Sequence, residues 1–250
     1  MTGDVRLRGG GSGQRLLLLL HGLGATGEVW NPSRPLLTHG WPGRWLAVDL
    51  PGHGGSEPLP EYSCLTLAER IAKTLPVDDR MVVLGHSLGG AVGLALAGRR
   101  FDLPVAAVVA LGVKVAWTAE ELARAEALAR RPVARYATRA EAASRYLRVS
   151  GLTGLVDGDD PIVDAGLREE DEGWRLAMDP AAFAVGAPDL PALLADCAAQ
   201  VLLARGERDP MVTDAQLAGL GAPATTLADL GHNAHVEDPA AVLRLLHPYR

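Results

Sequence analysis

Cysteine is scarce in this chain of 250 residues, which contains only Cys64 and Cys197. Two cysteines so far apart in the sequence do not form the disulfide framework that holds small secreted domains together. Neither of them belongs to a CxxC pair or to the signature of a cysteine protease. We therefore expect both thiols to be reduced and half-buried.

Long hydrophobic segments are also missing. The run Leu16–Leu20 follows Arg15, but it is shorter than the roughly 7–15 apolar residues of a signal-peptide core, and His21-Gly22 follows it instead of a cleavage site. No other stretch approaches the ~20 apolar residues of a membrane span. The sequence therefore predicts no membrane partner and a cytoplasmic location.

Positive charge is not in excess. The chain has 24 Lys and Arg against 30 Asp and Glu, for a formal net charge of −6. A surface that binds nucleic acid needs a basic patch or stripe. The charge balance therefore predicts no nucleic-acid partner and favours a small-molecule substrate.

Apolar residues, in contrast, make up 48% of the chain, enough for one large domain or for one domain with an insertion. Several apolar runs are short and bounded by Gly or Pro, which is typical of buried parallel strands. These runs are Arg15–Leu20, Trp45–Leu50, Met81–Leu84, Val105–Leu111, Gln200–Ala204 and Ala224–Leu227, with Val5–Leu7 as a possible edge strand.

Helical patterns separate these runs. Leu65–Leu75 repeats apolar residues at helical spacing, with Thr66 and Glu69 as a possible capping box at its start. Leu88–Arg99 is small and apolar, and Asp238-Pro239 marks the start of a last helix. The alternation of strand and helix predicts an α/β fold with a doubly wound sheet.

Between about residues 117 and 187 no segment predicts a strand. The pairs Thr118/Glu121 and Thr138/Glu141 form capping-box signals, each followed by a helical pattern. This segment is therefore predicted to be a helical insertion. We expect residues 1–113 and 190–250 to form the α/β core and residues 114–189 to form a helical cap.

A candidate nucleophile stands at a predicted junction of strand and helix. Gly85-His86-Ser87-Leu88-Gly89 matches the Gly-x-Ser-x-Gly pattern, in which the serine occupies a tight, strained turn between a strand and a helix. Such a turn presents the hydroxyl at a helix N-terminus, where backbone N–H groups and the helix dipole favour negative charge. Ser87 is therefore the predicted nucleophile.

An oxyanion hole requires two preorganised N–H donors. The residue after the nucleophile, Leu88, would supply one of them. His21-Gly22-Leu23-Gly24 follows an earlier predicted strand, and its glycines permit the loop conformation that the second donor needs. We expect the N–H of Leu23 to be that donor.

The general base is expected in the loop between the last strand and the last helix, residues 231–239. This loop contains His232 and His235, and Gly231 allows it to bend and present His232. We therefore favour His232 as the base and expect His235 to pack or to form a hydrogen bond.

A carboxylate must orient the neutral imidazole. Asp209 follows the predicted strand Gln200–Ala204, and the order Ser, Asp, His is the one that accompanies a Gly-x-Ser-x-Gly turn between a strand and a helix. Glu207 is the competing carboxylate and Asp229 a weaker one.

Taken together and in order, five motifs resemble those of the α/β-hydrolase superfamily. They are HGLG at 21–24, DLPGHGGS at 49–56, GHSLGG at 85–90, GERD at 206–209 and GHNAHVEDP at 231–239. The resemblance implies a mostly parallel sheet of eight strands, a helical cap after the sixth strand, and a triad that needs no cofactor or metal. Two of the motifs are also similar to those of the pyruvate-eliminating lyases of menaquinone synthesis, in which an arginine stands where this chain has Ala91.

The predicted function is hydrolysis of a carboxylic ester, thioester or lactone of a small, largely apolar substrate through an acyl-enzyme. A cofactor-free lyase or a C–C bond hydrolase with the same triad is one alternative, and a ligand-binding receptor on the same fold is another. Apart from Leu23 and Leu88, the side chains expected to line the substrate pocket are Val113, Trp117, Trp174, Met178 and Met211.

Overall fold

A parallel β-sheet with helices against both faces organises residues 4–76 and 80–250, the part of the chain that the computed structural model describes. The strands are β1 (Leu7–Gly11), β2 (Arg15–Leu20), β3 (Arg44–Val48), β4 (Arg80–His86), β5 (Val105–Leu111), β6 (Leu167–Glu170), β7 (Gly173–Leu176), β8 (Gln200–Gly206) and β9 (Ala224–Leu227). The α-helices are α1 (Arg34–Gly40), α2 (Cys64–Ala72), α3 (Leu88–Leu96), α4 (Ala119–Ala129), α5 (Arg139–Val149), α6 (Pro161–Ala165), α7 (Leu190–Asp196), α8 (Asp214–Ala218), α9 (Ala234–Glu237) and α10 (Pro239–Arg244).

Seven of these strands form the main sheet, in the order β1-β3-β2-β4-β5-β8-β9. All neighbours are parallel except β1, which runs antiparallel to β3. The eight strands implied by the family resemblance are therefore one too many for the described residues. The sequence shows seven apolar segments with a strand pattern, and each overlaps one strand of the main sheet. The insertion consequently follows the fifth strand of the sheet and not the sixth.

Strand β2, between β3 and β4, is apolar at consecutive positions because both of its faces are covered. Leu16, Leu18 and Leu20 pack with α2 and α3 on one face, while Leu17 and Leu19 pack on the other face near Trp30. All five leucines are fully buried. A strand covered by helices on both faces has no exposed side, so the alternation of apolar and polar residues disappears.

The chain between β5 and β8 contains helices α4–α7 and a small sheet. The two predicted capping boxes form, because Thr118 accepts a hydrogen bond from the N–H of Glu121, and Thr138 accepts one from Glu141. The prediction that this segment holds no strand is wrong, since β6 and β7 pair as an antiparallel hairpin. Their sequences, LREE and GWRL, are four residues each and together carry four charged residues, so they lack a strand signal.

The predicted starts of α2 and α10 differ in accuracy. Helix α2 is capped by Ser63 with Thr66, three residues before the predicted pair of Thr66 and Glu69. Helix α10 begins at Pro239 as predicted, with the side chain of Asp238 accepting the N–H of Ala241. Among residues 4–76 and 80–250, no helix is both long and apolar enough to span a membrane.

Candidate active site

Ser87 lies in a sharp turn between the end of β4 and the start of α3. Its backbone has φ 51° and ψ −115°, in the region that non-glycine residues rarely adopt. The N–H of Ser87 donates to the carbonyl of Leu111 at the end of the neighbouring strand β5, at 2.7 Å. This bond fixes the turn to the carboxyl edge of the sheet.

The glycines of the pentapeptide are explained by close backbone contacts. A Cβ atom on Gly85 would lie 2.2 Å from the carbonyl oxygen of Gly89, and a Cβ on Gly89 would lie 2.4 Å from the carbonyl oxygen of Leu20. Strands β2 and β4 and the first turn of α3 therefore meet without room for a side chain. That contact is the local reason for the Gly-x-Ser-x-Gly spacing.

Asp209 and His232 form a hydrogen-bonded pair. Asp209 follows β8, and His232 stands in the loop after β9. The Nδ1–H of His232 donates to Oδ2 of Asp209 at 2.9 Å, and the carboxylate of Asp209 is fully buried. Its other oxygen accepts the N–H of Met211 at 2.8 Å. Gly112 lies beside the pair, since a Cβ there would be 3.3 Å from the ring of His232.

His86 and Asn233 hold the loop that carries His232. The Nε2–H of the buried His86 ring donates to the backbone carbonyl of His232 at 2.9 Å. Burial lowers the pKa of His86 well below its usual value, and the neighbouring His235 lowers it further, so the ring stays neutral. The side-chain amide of Asn233 donates to the carbonyl of Gly151, at the end of α5, at 2.9 Å.

The competing candidates point elsewhere. Glu207 accepts the backbone N–H of Asp229, and the carboxylate of Asp229 pairs with Arg208 at the surface. His235 is 1% exposed, and its ring centroid lies 4.6 Å from that of Trp30. Among the described residues, His232 and Asp209 are therefore the only candidate base and acid that form a hydrogen bond with each other.

The loop after β2 is held by His21. The Nδ1–H of this buried ring donates to the carbonyl of Gly22 at 2.8 Å, and its Nε2 accepts the N–H of Leu50 at 2.9 Å. A Cβ on Gly22 would lie 3.3 Å from Cβ of Ser87. The loop that contains Leu23 therefore runs directly beside the serine.

A cavity of about 320 Å³ opens onto Ser87 and His232, and we call it the catalytic cavity. Leu23, Leu88, Val113, Trp117 and Met211 line it. Trp174 and Met178 do not. Trp174 belongs to the unpredicted hairpin and exchanges two backbone hydrogen bonds with Tyr136, and Met178 lies beside His53.

Several lining residues were not found from the sequence. Ser150, Val185 and Pro188 come from loops of the insertion, whose path cannot be read from helical periodicity. Lys114 lines the cavity too, pairs with Glu121, and lies 4.6 Å from the ring centroid of Trp117. Arg148 is the other charged residue of the insertion that lines the cavity.

No group of three His, Cys, Asp or Glu side chains with the spacing of a metal site occurs within residues 4–76 and 80–250. The N–H of Leu88 is in the first turn of α3, so it has no acceptor within its own helix.

The chain is similar to known proteins over most of its length. A family model described as alpha/beta hydrolase family matches residues 17–245. The chain is 37% identical over 83 residues to 2-succinyl-6-hydroxy-2,4-cyclohexadiene-1-carboxylate synthase of Pectobacterium atrosepticum, which is 32% of each chain. It is 42% identical over 82 residues to pimeloyl-[acyl-carrier protein] methyl ester esterase of Edwardsiella ictaluri, 33% of this chain and 30% of that one.

The match therefore spans about a third of the length of these curated relatives. The similarity in fold covers a much larger part of the chain than the similarity in sequence. The solved structure of E-2-(acetamidomethylene)succinate hydrolase superposes with a TM-score of 0.81 at 24% identity, over 99% of this chain and 95% of that one.

Proposed function

The chain belongs to the alpha/beta hydrolase family, and we propose that it hydrolyses a carboxylic ester, thioester or lactone through an acyl-enzyme on Ser87. The observation that carries the proposal is the hydrogen bond of 2.9 Å between His232 and Asp209, beside a strained serine that faces the same cavity. The esterase among its relatives supports the same reaction class.

In the proposed first step, the hydroxyl oxygen of Ser87 attacks the carbonyl carbon while Nε2 of His232 takes the hydroxyl proton. Asp209 holds the ring by its Nδ1–H and stabilises the imidazolium that forms. The bond to the leaving oxygen or sulfur then breaks, and His232 returns the proton to the leaving group. Water then attacks the acyl-enzyme with His232 as base. The bond between the acyl carbon and the Ser87 oxygen breaks as His232 gives the proton to that oxygen, and the acid product leaves.

The oxyanion would be bound by the N–H groups of Leu23 and Leu88. Both residues line the cavity beside Ser87. The N-terminus of α3 adds the favourable end of its dipole at the same place. Each such donor is worth about 10²–10³ in rate where it has been removed from an enzyme of this type.

We propose that residues 114–189 act as the cap that selects the substrate. Trp117 and Arg148 reach the cavity from this segment, and Val113 borders it from the core. The side chains around Ser87 are mostly apolar, so the group next to the scissile bond is expected to be an acyl chain or an aromatic ring rather than a sugar.

Turnover of p-nitrophenyl esters of several chain lengths tests the proposal, with Ser87→Ala as the matched variant. We expect the wild type to release p-nitrophenolate and Ser87→Ala to lose at least about 10³ of the rate. Ester turnover that survives in the variant would overturn the mechanism. Labelling of the wild type by a fluorophosphonate, absent in Ser87→Ala, would separate an enzyme of narrow specificity from a ligand-binding receptor.

A cofactor-free lyase is the second candidate, because the synthase of Pectobacterium atrosepticum is among the relatives. Ala91 lines the catalytic cavity where the pyruvate-eliminating lyases have an arginine. That difference removes a cation from the site and favours hydrolysis. Release of pyruvate from an enolpyruvyl-type substrate would support the lyase instead.

A further inference from the structure

A second cavity adjoins the catalytic cavity inside the segment between β5 and β8. Its volume is about 360 Å³, and it lies between the end of α4, the helix α5 and the strand β7. Arg148 and Val149, at the end of α5, line both cavities. We call this second space the cap cavity.

Three arginines surround the cap cavity, namely Arg131, Arg145 and Arg148. None of them forms an ion pair or a side-chain hydrogen bond with any residue in the described ranges, 4–76 and 80–250. No Asp or Glu of those ranges lines the cavity. It is therefore a concentration of uncompensated positive charge in a chain whose formal net charge is −6.

The other arginines of the same segment have partners: Arg168 donates to the backbone carbonyl of Gly54, and the rest form ion pairs. Arg124 and Arg130 pair with glutamates one helical turn away, and Arg139 pairs with Asp164. Arg135 and Arg175 share Glu170. Within this segment, the arginines with neither an ion pair nor a side-chain hydrogen bond are thus the three that line the cap cavity.

The remaining surface of the cap cavity is apolar. Leu176, Met178 and Phe183 are among the side chains that form it, with Val133 at its edge. Val149 also packs against the loop beside Ser87, since a Cβ on Gly24 would lie 2.5 Å from its Cγ1 atom. A hydrocarbon chain that passes Val149 would therefore connect the two cavities, with cations around its far end.

We propose that the cap cavity binds a carboxylate at the far end of the substrate, so that the substrate is a half-ester or half-thioester of a dicarboxylic acid. This inference rests on the proposed function, because it places the scissile bond at Ser87. Arg145 and Arg148 bind the carboxylate through charge-assisted hydrogen bonds, and the apolar side chains bind the spacer. The positive field also raises the local concentration of anionic substrate.

The test compares p-nitrophenyl half-esters of adipic, pimelic and suberic acids with the same compounds methylated at the far carboxylate. The readout is the ratio of kcat/KM for the anionic ester to kcat/KM for the neutral one. We expect the wild type to favour the anionic ester of one chain length. Arg145→Gln and Arg148→Gln should each lower that ratio by about 10-fold to 100-fold, the usual effect of losing a hydrogen bond to a charged group.

The matched control is Arg124→Gln, which removes a paired arginine of α4 outside both cavities. This variant should keep the wild-type ratio. The preference of the wild type should also fall as ionic strength rises, because partly exposed charges are screened. Equal kcat/KM for the two esters, or a ratio that Arg124→Gln lowers as much as Arg145→Gln does, would overturn the proposal.

Binding to the inactive Ser87→Ala variant separates this inference from the proposed function. Monomethyl pimelate and dimethyl pimelate are titrated calorimetrically into Ser87→Ala and into Ser87→Ala with Arg145→Gln. Tighter binding of the monoanion, lost by about 10-fold or more with Arg145→Gln, supports the cap cavity as its site even if the wild type hydrolyses no ester. Equal binding of the two compounds to Ser87→Ala refutes the site whether or not Ser87 is catalytic.

Discussion

The Nδ1 atom of His232 lies 2.9 Å from Oδ2 of Asp209, and the carboxylate of Asp209 is fully buried. This pair sets the tautomer of the ring, so that Nε2 is free to accept a proton. Asp209→Asn should keep the fold but reverse the tautomer preference, and we expect kcat for a p-nitrophenyl ester to fall by about 10⁴. Steady-state kinetics with purified variants measure the effect.

Glu207→Gln is the control for that experiment. Glu207 follows the same strand as Asp209 but accepts the backbone N–H of Asp229 at the surface. Its substitution should change kcat less than tenfold. A larger loss in Glu207→Gln than in Asp209→Asn would mean that the acid of the site has been assigned to the wrong residue.

The positions of Ser87, Asp209 and His232 could be predicted because each follows a recognisable strand. Parallel strands bring their carboxyl ends to one edge of the sheet, so residues distant in sequence meet there. The positions of Trp174 and Met178 could not be predicted in the same way. They depend on the hairpin of β6 and β7, whose charged residues give no strand periodicity, and on how that hairpin packs against α5.

The strained backbone at Ser87 should lower the stability of the fold, although the serine is needed for activity. A non-glycine residue at φ 51° and ψ −115° costs of order 1–3 kcal/mol, and glycine avoids that cost. Ser87→Gly and Ser87→Ala should both be inactive, but Ser87→Gly should be more stable than Ser87→Ala by about 1 kcal/mol after the larger entropy of unfolded glycine is included. Urea unfolding measures the difference. Equal stabilities would show that the turn is not strained.

Because α3 crosses β2 closely, one added methyl group at Gly89 should have a large effect on stability. A Cβ on Gly89 would lie 2.4 Å from the carbonyl oxygen of Leu20, and backbone atoms cannot move aside as a flexible side chain can. Gly89→Ala should lower the free energy of unfolding by about 2 kcal/mol or more, and should also reduce kcat because Ser87 moves with the helix.

The control is Gly158→Ala, where the nearest atom to the new Cβ is 4.0 Å away. Its free energy of unfolding should stay within about 0.5 kcal/mol of the wild type. If Gly89→Ala were as stable as Gly158→Ala, the close approach of the two backbones would be refuted.

Buried neutral histidines predict that stability falls in mild acid. Burial, with a smaller contribution from the nearby His232, lowers the pKa of His235 to about 3, whereas an unfolded histidine titrates near 6.5. Between these pH values the unfolded chain binds a proton at this ring that the folded chain does not. Stability is therefore fully present above about pH 6.5 and is lost as the pH falls, by about 1.4 kcal/mol per pH unit for this one residue.

His235→Phe tests this assignment, because the ring packs on Trp30 and His86, and neither of its nitrogens has a hydrogen-bond partner among the described residues. We expect the variant to keep wild-type stability at pH 7.5 and to lose about 2 kcal/mol less than the wild type between pH 7 and pH 5. Urea unfolding at a series of pH values gives both numbers, with His39→Phe as the control for removing a histidine at the surface. An unchanged pH dependence in His235→Phe would mean that this ring is not buried in its neutral form, and the acid sensitivity would then have to come from His21, His53 and His86, whose pKa values burial also lowers.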